Sequence, residues 1–353
     1  MTEPHAAPAV AGPRVGAEDI VFSLADPDRR LDGVRLAHEL TLPGLDPEFR
    51  FDDATGCWRL VLPRPPVWRM EYRLALRHRD GGGEDIVDPG NPVVTPGAFG
   101  DKSVLTMPDY VAPTWLDGAQ AWPAADRLSV PTGVGTVEIT VLSPEQPTTK
   151  LLVAHDGPEF DRLAGLGRFA ATMVRDGRLP PFHLALAAPG PRDERYSANP
   201  AYASALGAAV LPALHARLGT AGPTVLMGAS LGGLAALHAQ RRHPGAIGGL
   251  FLQSSSFFTP RYDECEKDYR FYPRITRYVA TVQRARPAGR PVPVTLTCGV
   301  AEENVHNNRL MATTLRRLGY PAVLHEVPDA HNYVAWRDAF DPHLTGLLAQ
   351  VWD

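Results

Sequence analysis

The chain has 353 residues, 44% hydrophobic and 21% charged, with 35 Lys and Arg against 39 Asp and Glu and a formal net charge of −4. That length predicts about two domains, and the apolar content excludes a disordered chain. The balanced charge gives no long-range pull toward nucleic acid or anionic lipid, and no apolar run approaches the roughly 18 residues of a membrane span.

Residues 1–17 are rich in Pro, Ala and Gly, and are expected to be a disordered tail. They have no basic patch followed by an apolar core, so no secretory signal is expected, and the expected location is the cytoplasm. From 18 to 92 short alternating runs (Ile20–Phe22, Val34–Ala37, Trp58–Leu62, Met70–Leu76) are broken by turns such as Asp80–Gly83, which predicts a small β-sandwich. Residues 93–130 carry prolines and scattered aromatics (Tyr110, Trp115, Trp122) and read as an ordered linker. From 131 to 353 apolar strands alternate with helical periodicity: strands over 134–142, 151–154, 183–187, 224–227, 247–252, 293–298 and 321–327, helices over 160–174, 202–218, 231–242, 305–318 and 338–351. This alternation predicts an α/β domain with a mostly parallel sheet covered on both faces. Cys57, Cys265 and Cys298 are too few and too scattered for a disulfide framework or a zinc site, and the serine chemistry read below is expected to require neither a metal nor an organic cofactor.

The segment with the most chemical content is Gly228-Ala229-Ser230-Leu231-Gly232, a G-x-S-x-G set between a predicted strand and a predicted helix. In that context the serine occupies a sharp, strained turn and its hydroxyl projects from the top of the sheet, the arrangement of an α/β-hydrolase. Gly228 and Gly232 supply the small residues needed where strand and helix backbones approach. The helix N-terminus and the N–H of Leu231 are placed to stabilise an oxyanion.

In such a fold an acid and then a histidine follow the serine. Downstream stand His238, His243, His306, His325 and His331. The first two fall on or at the end of a helix, His306 starts one, and His325 lies inside a strand. His331 follows a strand, in a loop before the last helix, where a general base can reach the serine. The acid belongs in Gly299–Asn304, after the preceding strand. Glu302, 29 residues before His331, is favoured, with Glu303 as the alternative; whichever is not used caps the next helix. A second oxyanion donor is expected from His155–Phe160. Pro158 has no N–H, which leaves Gly157 or Glu159.

Several segments together resemble the enterochelin (ferric enterobactin) esterase family within the esterase D-like α/β-hydrolases. In the second half these are His155-Asp156-Gly157, the serine turn, and Gln253-Ser254-Ser255-Ser256-Phe257-Phe258, similar to that family's "SQSGSFWW". Glu302-Glu303-Asn304 with Asn308-Arg309, and His331 with Trp336-Arg337 (similar to "GHDxxxWR"), complete the set. The first half resembles the family's early-set β-sandwich at Trp58, Glu71-Tyr72-Arg73, Asp88–Pro92 and Phe99–Leu105. Ser255 stands where the family often has glycine, and Ala330 replaces the glycine before the base.

The resemblance implies a cytoplasmic serine esterase that opens the trilactone of a catecholate siderophore, with iron arriving only as part of the substrate. The partner is then a small-molecule ester, not a nucleic acid or a membrane. Arg192, Arg195, Tyr196, Phe257, Trp336 and Arg337 are the candidate substrate contacts, each also readable as an ordinary surface, cap or core residue. Two other readings compete. One is a hydrolase or acyltransferase of the same fold acting on a feruloyl or carbohydrate-linked ester, which an exposed row of aromatics on residues 18–92 would favour. The other is a non-catalytic binding protein, against which the ordered Ser, Glu and His argue.

Overall fold

The computed structural model describes residues 12–42, 44–287 and 289–353, so residues 1–11 of the expected tail lie outside the described residues. The chain forms two compact units. One comprises residues up to Val111 together with Val300–Glu302 and Pro328–Ala330; the other comprises Ala112–Gly299, Glu303–Val327 and His331–Asp353.

The first unit is built from two antiparallel sheets. One has the order Arg14–Val15, Asp19–Ala25, Cys57–Pro63, Arg50–Asp52. The other has the order Leu31–His38, Arg69–His78, Lys102–Thr106, Val94–Thr95, with Gly83–Ile86 also paired to Arg69–His78. Alternation drives their packing: Ile20, Phe22 and Leu24 from one sheet and Leu36, Met70, Tyr72 and Leu74 from the other enter a shared core. Ala301 and Ala330 join it, with Thr41 N–H donating to Ala301 O (2.8 Å) and Trp68 N–H to Pro328 O (2.6 Å). Two strands of this unit and the strand Ala124–Val130 of the other fall within 93–130, the stretch read as a linker. Prolines and short runs mask their alternation.

A buried polar knot closes the sandwich at Asp88–Pro92. Tyr72 donates its hydroxyl to Asp88 Oδ2 (2.7 Å), Asn91 Nδ2 donates to Tyr72 Oη (3.1 Å) and to Val104 O (2.9 Å), and Asp88 N–H donates to Ser103 Oγ (2.7 Å). Burial and the adjacent carboxylate push the Tyr72 phenol well above its ordinary pKa.

The second unit carries an eight-stranded sheet in the order Ala124–Val130, Val137–Leu142, His183–Ala187, Leu151–Ala154, Thr224–Ala229, Ile247–Gln253, Val294–Gly299, Ala322–Val327. The first two strands are antiparallel additions; the rest run parallel. Period-two alternation divides the central strands between two cores. Leu151, Val153, Leu226, Leu250 and Leu252 face one layer of helices, and Leu152, Ala154, Val225, Met227 and Phe251 face the other. From Leu151–Ala154 the chain goes first to the neighbour on one side, then to Thr224–Ala229 on the other. The strand order therefore reverses between these two strands, and a doubly wound sheet opens its crevice at their carboxyl ends.

Replacing Tyr72 by Phe leaves the buried Asp88 oxygen without its hydroxyl donor. Urea unfolding is expected to show a loss of about 1–3 kcal/mol; an unchanged midpoint and slope would contradict the role given to this knot.

Candidate active site

The reversal point of the sheet brings together the two loops that matter. The strand Thr224–Ala229 ends at Ser230, and the helix Leu231–Arg242 begins at the next residue. Ser230 takes φ of 54° and ψ of −124°, a conformation L-residues adopt only under constraint. Its N–H donates to Gln253 O (2.9 Å), and its carbonyl accepts from Ser256 N–H (3.1 Å). A Cβ on Gly228 would run into the backbone of Gly232, and one on Gly232 would lie 3.2 Å from His155 Cβ. Gly233 is needed as well, since a Cβ there would collide with Ser255 Oγ. Leu231 N–H, the first of the helix, has no intrahelical acceptor.

One strand over, Leu151–Ala154 leads into His155 and Asp156 and then the helix Gly157–Ala164. His155 N–H donates to Met227 O (2.9 Å), which extends the ladder between the two strands to their ends. Gly157 is pressed against the backbone of Leu186 and Ala187, where no Cβ fits. Its N–H, like that of Leu231, opens a helix at the carboxyl edge of the sheet.

His331 follows the strand Ala322–Val327 and precedes the helix Tyr333–Asp338, whose N-terminus Asn332 caps by accepting from Ala335 N–H (2.8 Å). The Trp336 indole meets the His331 ring edge to face, with centroids 5.1 Å apart. Trp336 is itself fixed: its Nε1 donates to Ser254 Oγ (2.9 Å), and its carbonyl accepts from Gln253 Nε2 (2.9 Å). Glu303 Oε1 stands 3.8 Å from His331 Nδ1, and Asn304 Nδ2 lies 3.5 Å from the same atom. Glu302 is buried, with 1% of its surface exposed. The other downstream histidines are engaged elsewhere: His238 lies tilted against Tyr278, His306 stacks on Tyr262 and His325 on His343, while His243 ends a helix.

Several groups here lie in segments the resemblance marked, without any sequence signal of what they contact. Ser256 Oγ lies 3.1 Å from Ser230 Oγ, and both are hydroxyls. Behind them is a buried amide network. Asn308 donates to Ser255 O (2.8 Å) and Asn304 O (2.9 Å), and Asn307 donates to Asp263 Oδ1 (2.7 Å) and Asn304 Oδ1 (2.9 Å). Asn307 and Asn308 stand three and four residues after Asn304, at the start of the helix Val305–Arg317.

The candidate substrate contacts divide by burial. Arg195 is 3% exposed and donates to the carbonyls of Pro189, Val134 and Thr136, so it holds a loop and presents nothing to a ligand. Tyr196 and Phe257 are fully buried, the first edge-on to His155, the second in the core. Trp336 supports His331. Arg337 donates to Asp338 Oδ1 (2.7 Å) and lines a cavity of about 360 Å³ with Asp161, Arg162 and Arg168. Arg192 makes a two-pronged pair with Asp156, 2.9 Å on each prong. Residue type and sequence position fitted these side chains to recognition; the core and the backbone carbonyls claim most of them.

The carboxyl edge of the sheet thus gathers a strained serine at a strand-to-helix turn, two helix N-termini flanking it and a histidine beside a carboxylate. Residues 136–347 match the model of the Esterase family. The chain belongs to the Esterase family. Its fold is also that of the ferric enterobactin esterase from Salmonella typhimurium (21% identity, 97% of this chain and 96% of that one covered, TM-score 0.76). The enterobactin esterase from Shigella flexneri, crystallised in the presence of enterobactin, is similar at 19% identity over 97% and 96% of the two chains, with a TM-score of 0.74. A ferulic acid esterase is similar over 64% of this chain and 96% of its own, at 15% identity and a TM-score of 0.51. No curated protein matches this esterase by sequence. Among its described residues no helix is long and apolar enough to cross a membrane.

Burial pulls the pKa of His155, His238 and His343 down to about 4 each. The unfolded chain takes up these protons near pH 6.5, the folded chain only near pH 4. The stability they contribute is therefore full above pH 6.5 and declines as pH falls toward 4. Thermal unfolding is expected to show Tm dropping through that window, with a shallower drop in His238→Phe; a slope identical in wild type and variant would refute this.

Proposed function

We propose that this chain is a serine esterase that hydrolyses the ester bonds of a catecholate siderophore trilactone, releasing chelated iron inside the cell. The observation that carries the catalytic part is the constrained serine, with Leu231 N–H beside it. His331 accepts the Ser230 proton as Oγ attacks the ester carbonyl. Leu231 N–H and Gly157 N–H hold the oxyanion, each such donor being worth about 3 kcal/mol. The alcohol leaves with the proton from His331, and water cleaves the acyl-enzyme by the same route. No metal or organic cofactor enters these steps, and iron is cargo.

Glu302 is assigned as the acid that orients His331. A buried carboxylate is costly unless its charge is met, which suits a group facing an imidazolium. Glu303 has a side chain 32% exposed and stands beyond hydrogen-bond length from Nδ1, so it adds a screened field.

The siderophore reading draws support from similarity to enterobactin esterases over both units, whereas the ferulic acid esterase is similar over 64% of the chain. An exposed row of aromatics, which would favour a sugar ester, is not found among the described residues 18–92. Phe22, Phe49 and Tyr72 are buried, and no aromatic of the described residues 18–92 is among the exposed large side chains.

Incubation with iron-loaded and iron-free trilactone siderophores, beside simple aryl esters, is expected to yield linear hydrolysis products by mass spectrometry. Ser230→Ala is expected to lower the rate by on the order of 10⁴-fold or more. Aryl-ester turnover without siderophore cleavage would reject the substrate and keep the esterase; equal rates in Ser230→Ala would reject both. Glu302→Gln is expected to cost about 10³–10⁴-fold and Glu303→Gln less than about tenfold; the reverse order would transfer the role to Glu303.

A further inference from the structure

The pair formed by Arg192 and Asp156 sits where a charge matters most. Asp156 directly precedes Gly157, and a Cβ on Gly232, in the first turn of the helix after Ser230, would lie 3.3 Å from Asp156 Oδ2. A carboxylate is thus held beside the serine turn, next to the N–H groups assigned to the oxyanion. Left bare, it would oppose the negative charge that develops there.

The backbone at this point is also constrained. Asp156 has φ of 51° and ψ of 34°, in the left-handed region, without being glycine. Its N–H points to Tyr196 Oη at 3.4 Å, and both its carboxylate oxygens are gripped by Arg192 Nε and Nη2 at 2.9 Å. Arg192 and Tyr196 are the two ends of one short helix, Arg192–Tyr196, and the guanidinium lies 5.7 Å from the Tyr196 ring centroid. On the far side Gly157 is pinned against Leu186 and Ala187. The peptide plane joining Asp156 to Gly157, which sets the direction of Gly157 N–H, is therefore fixed from both ends. Although burial disfavours the Arg192 charge, the facing carboxylate outweighs it and raises the guanidinium pKa above its ordinary value.

We propose that Arg192 is a positioning residue, whose planar fork locks and neutralises Asp156 so that Gly157 N–H stays aimed at the oxyanion, and that it is not a contact for the substrate. The inference rests on the esterase reading above. Asp156 costs nothing to the transition state while paired, and the fork geometry explains why arginine stands here in place of lysine.

The test uses the full chain with two aryl esters, one neutral and one carrying a sulfonate, and the variants Arg192→Gln, Arg192→Lys and Asp156→Asn/Arg192→Gln. Active-site titration with a fluorophosphonate counts folded, competent serine in each. Arg192→Gln is expected to lower kcat about 10²-fold on both esters with KM unchanged, the size of loss that follows from a slightly misaimed catalytic group. Arg192→Lys keeps the charge without the fork and is expected to fall between, which keeps the inference testable if the glutamine variant does not fold. The double variant, with the bare carboxylate removed, is expected to recover at least about tenfold over Arg192→Gln. A rise in KM confined to the sulfonated ester, with kcat intact, would make Arg192 a substrate contact and overturn the proposal, as would absence of rescue in the double variant. Failure of the esterase reading itself is separate: it would appear as a wild type no more active than Ser230→Ala.

Discussion

Ser230 is held at φ of 54° by forces that come from every side of its turn. Its own N–H and C=O are bound to Gln253 O and Ser256 N–H, Gly228 permits an approach of strand and helix that a side chain would block, and Gly233 leaves room for Ser255 Oγ. A residue in such a conformation stores about 1–3 kcal/mol of strain, which persists only where the surroundings over-determine it. Here they do. Relaxing the turn would break both hydrogen bonds and open the packing between the strand Thr224–Ala229 and the helix Leu231–Arg242.

The remaining parts of the site can be read as consequences of that fixed point. Because the strand ends at a reversal of sheet order, the loop after Leu151–Ala154 lies alongside, and two helix N-termini face one edge. The segment Gln253–Ser256 then serves three purposes at once. It anchors the serine backbone, it binds Trp336 through Ser254 Oγ and Gln253 Nε2, and its Ser255 is tied to Asn308. Trp336 in turn stands against His331. Ser230 and the Trp336 that stands against His331 are thus braced by the same segment, through buried hydrogen bonds whose loss would leave unsatisfied polar atoms.

How much of this was legible in the sequence depends on whether a feature is local. The serine turn was, because G-x-S-x-G between a strand and a helix admits few conformations. The alternation of strands with helices was too, since Leu151–Ala154 and Val225–Met227 are apolar runs. Residues whose role depends on a distant partner were not. Arg195 is bound to carbonyls about sixty residues away, at Val134 and Thr136, and the sequence offers nothing to foretell that. Gly233 and Ser256 stand in segments the sequence marks out, but their close approaches to Ser255 and Ser230 leave no mark in either. The strands Val94–Thr95 and Lys102–Thr106 were hidden by length, since two and five residues are too few for a periodic signal. The role of Ser255 is likewise visible only in three dimensions: its hydroxyl packs on Gly233, where a Cβ would collide with it.

The central claim is that Ser230, and no other hydroxyl, is made nucleophilic by its turn and by His331. Reaction of the intact chain with a fluorophosphonate, followed by peptide mass spectrometry, tests this without reference to any substrate. The account predicts one phosphonyl group per chain, on Ser230, and no labelling at the same reagent concentration in His331→Ala. An adduct on Ser256 or elsewhere, or an unlabelled chain that still hydrolyses esters, would contradict it.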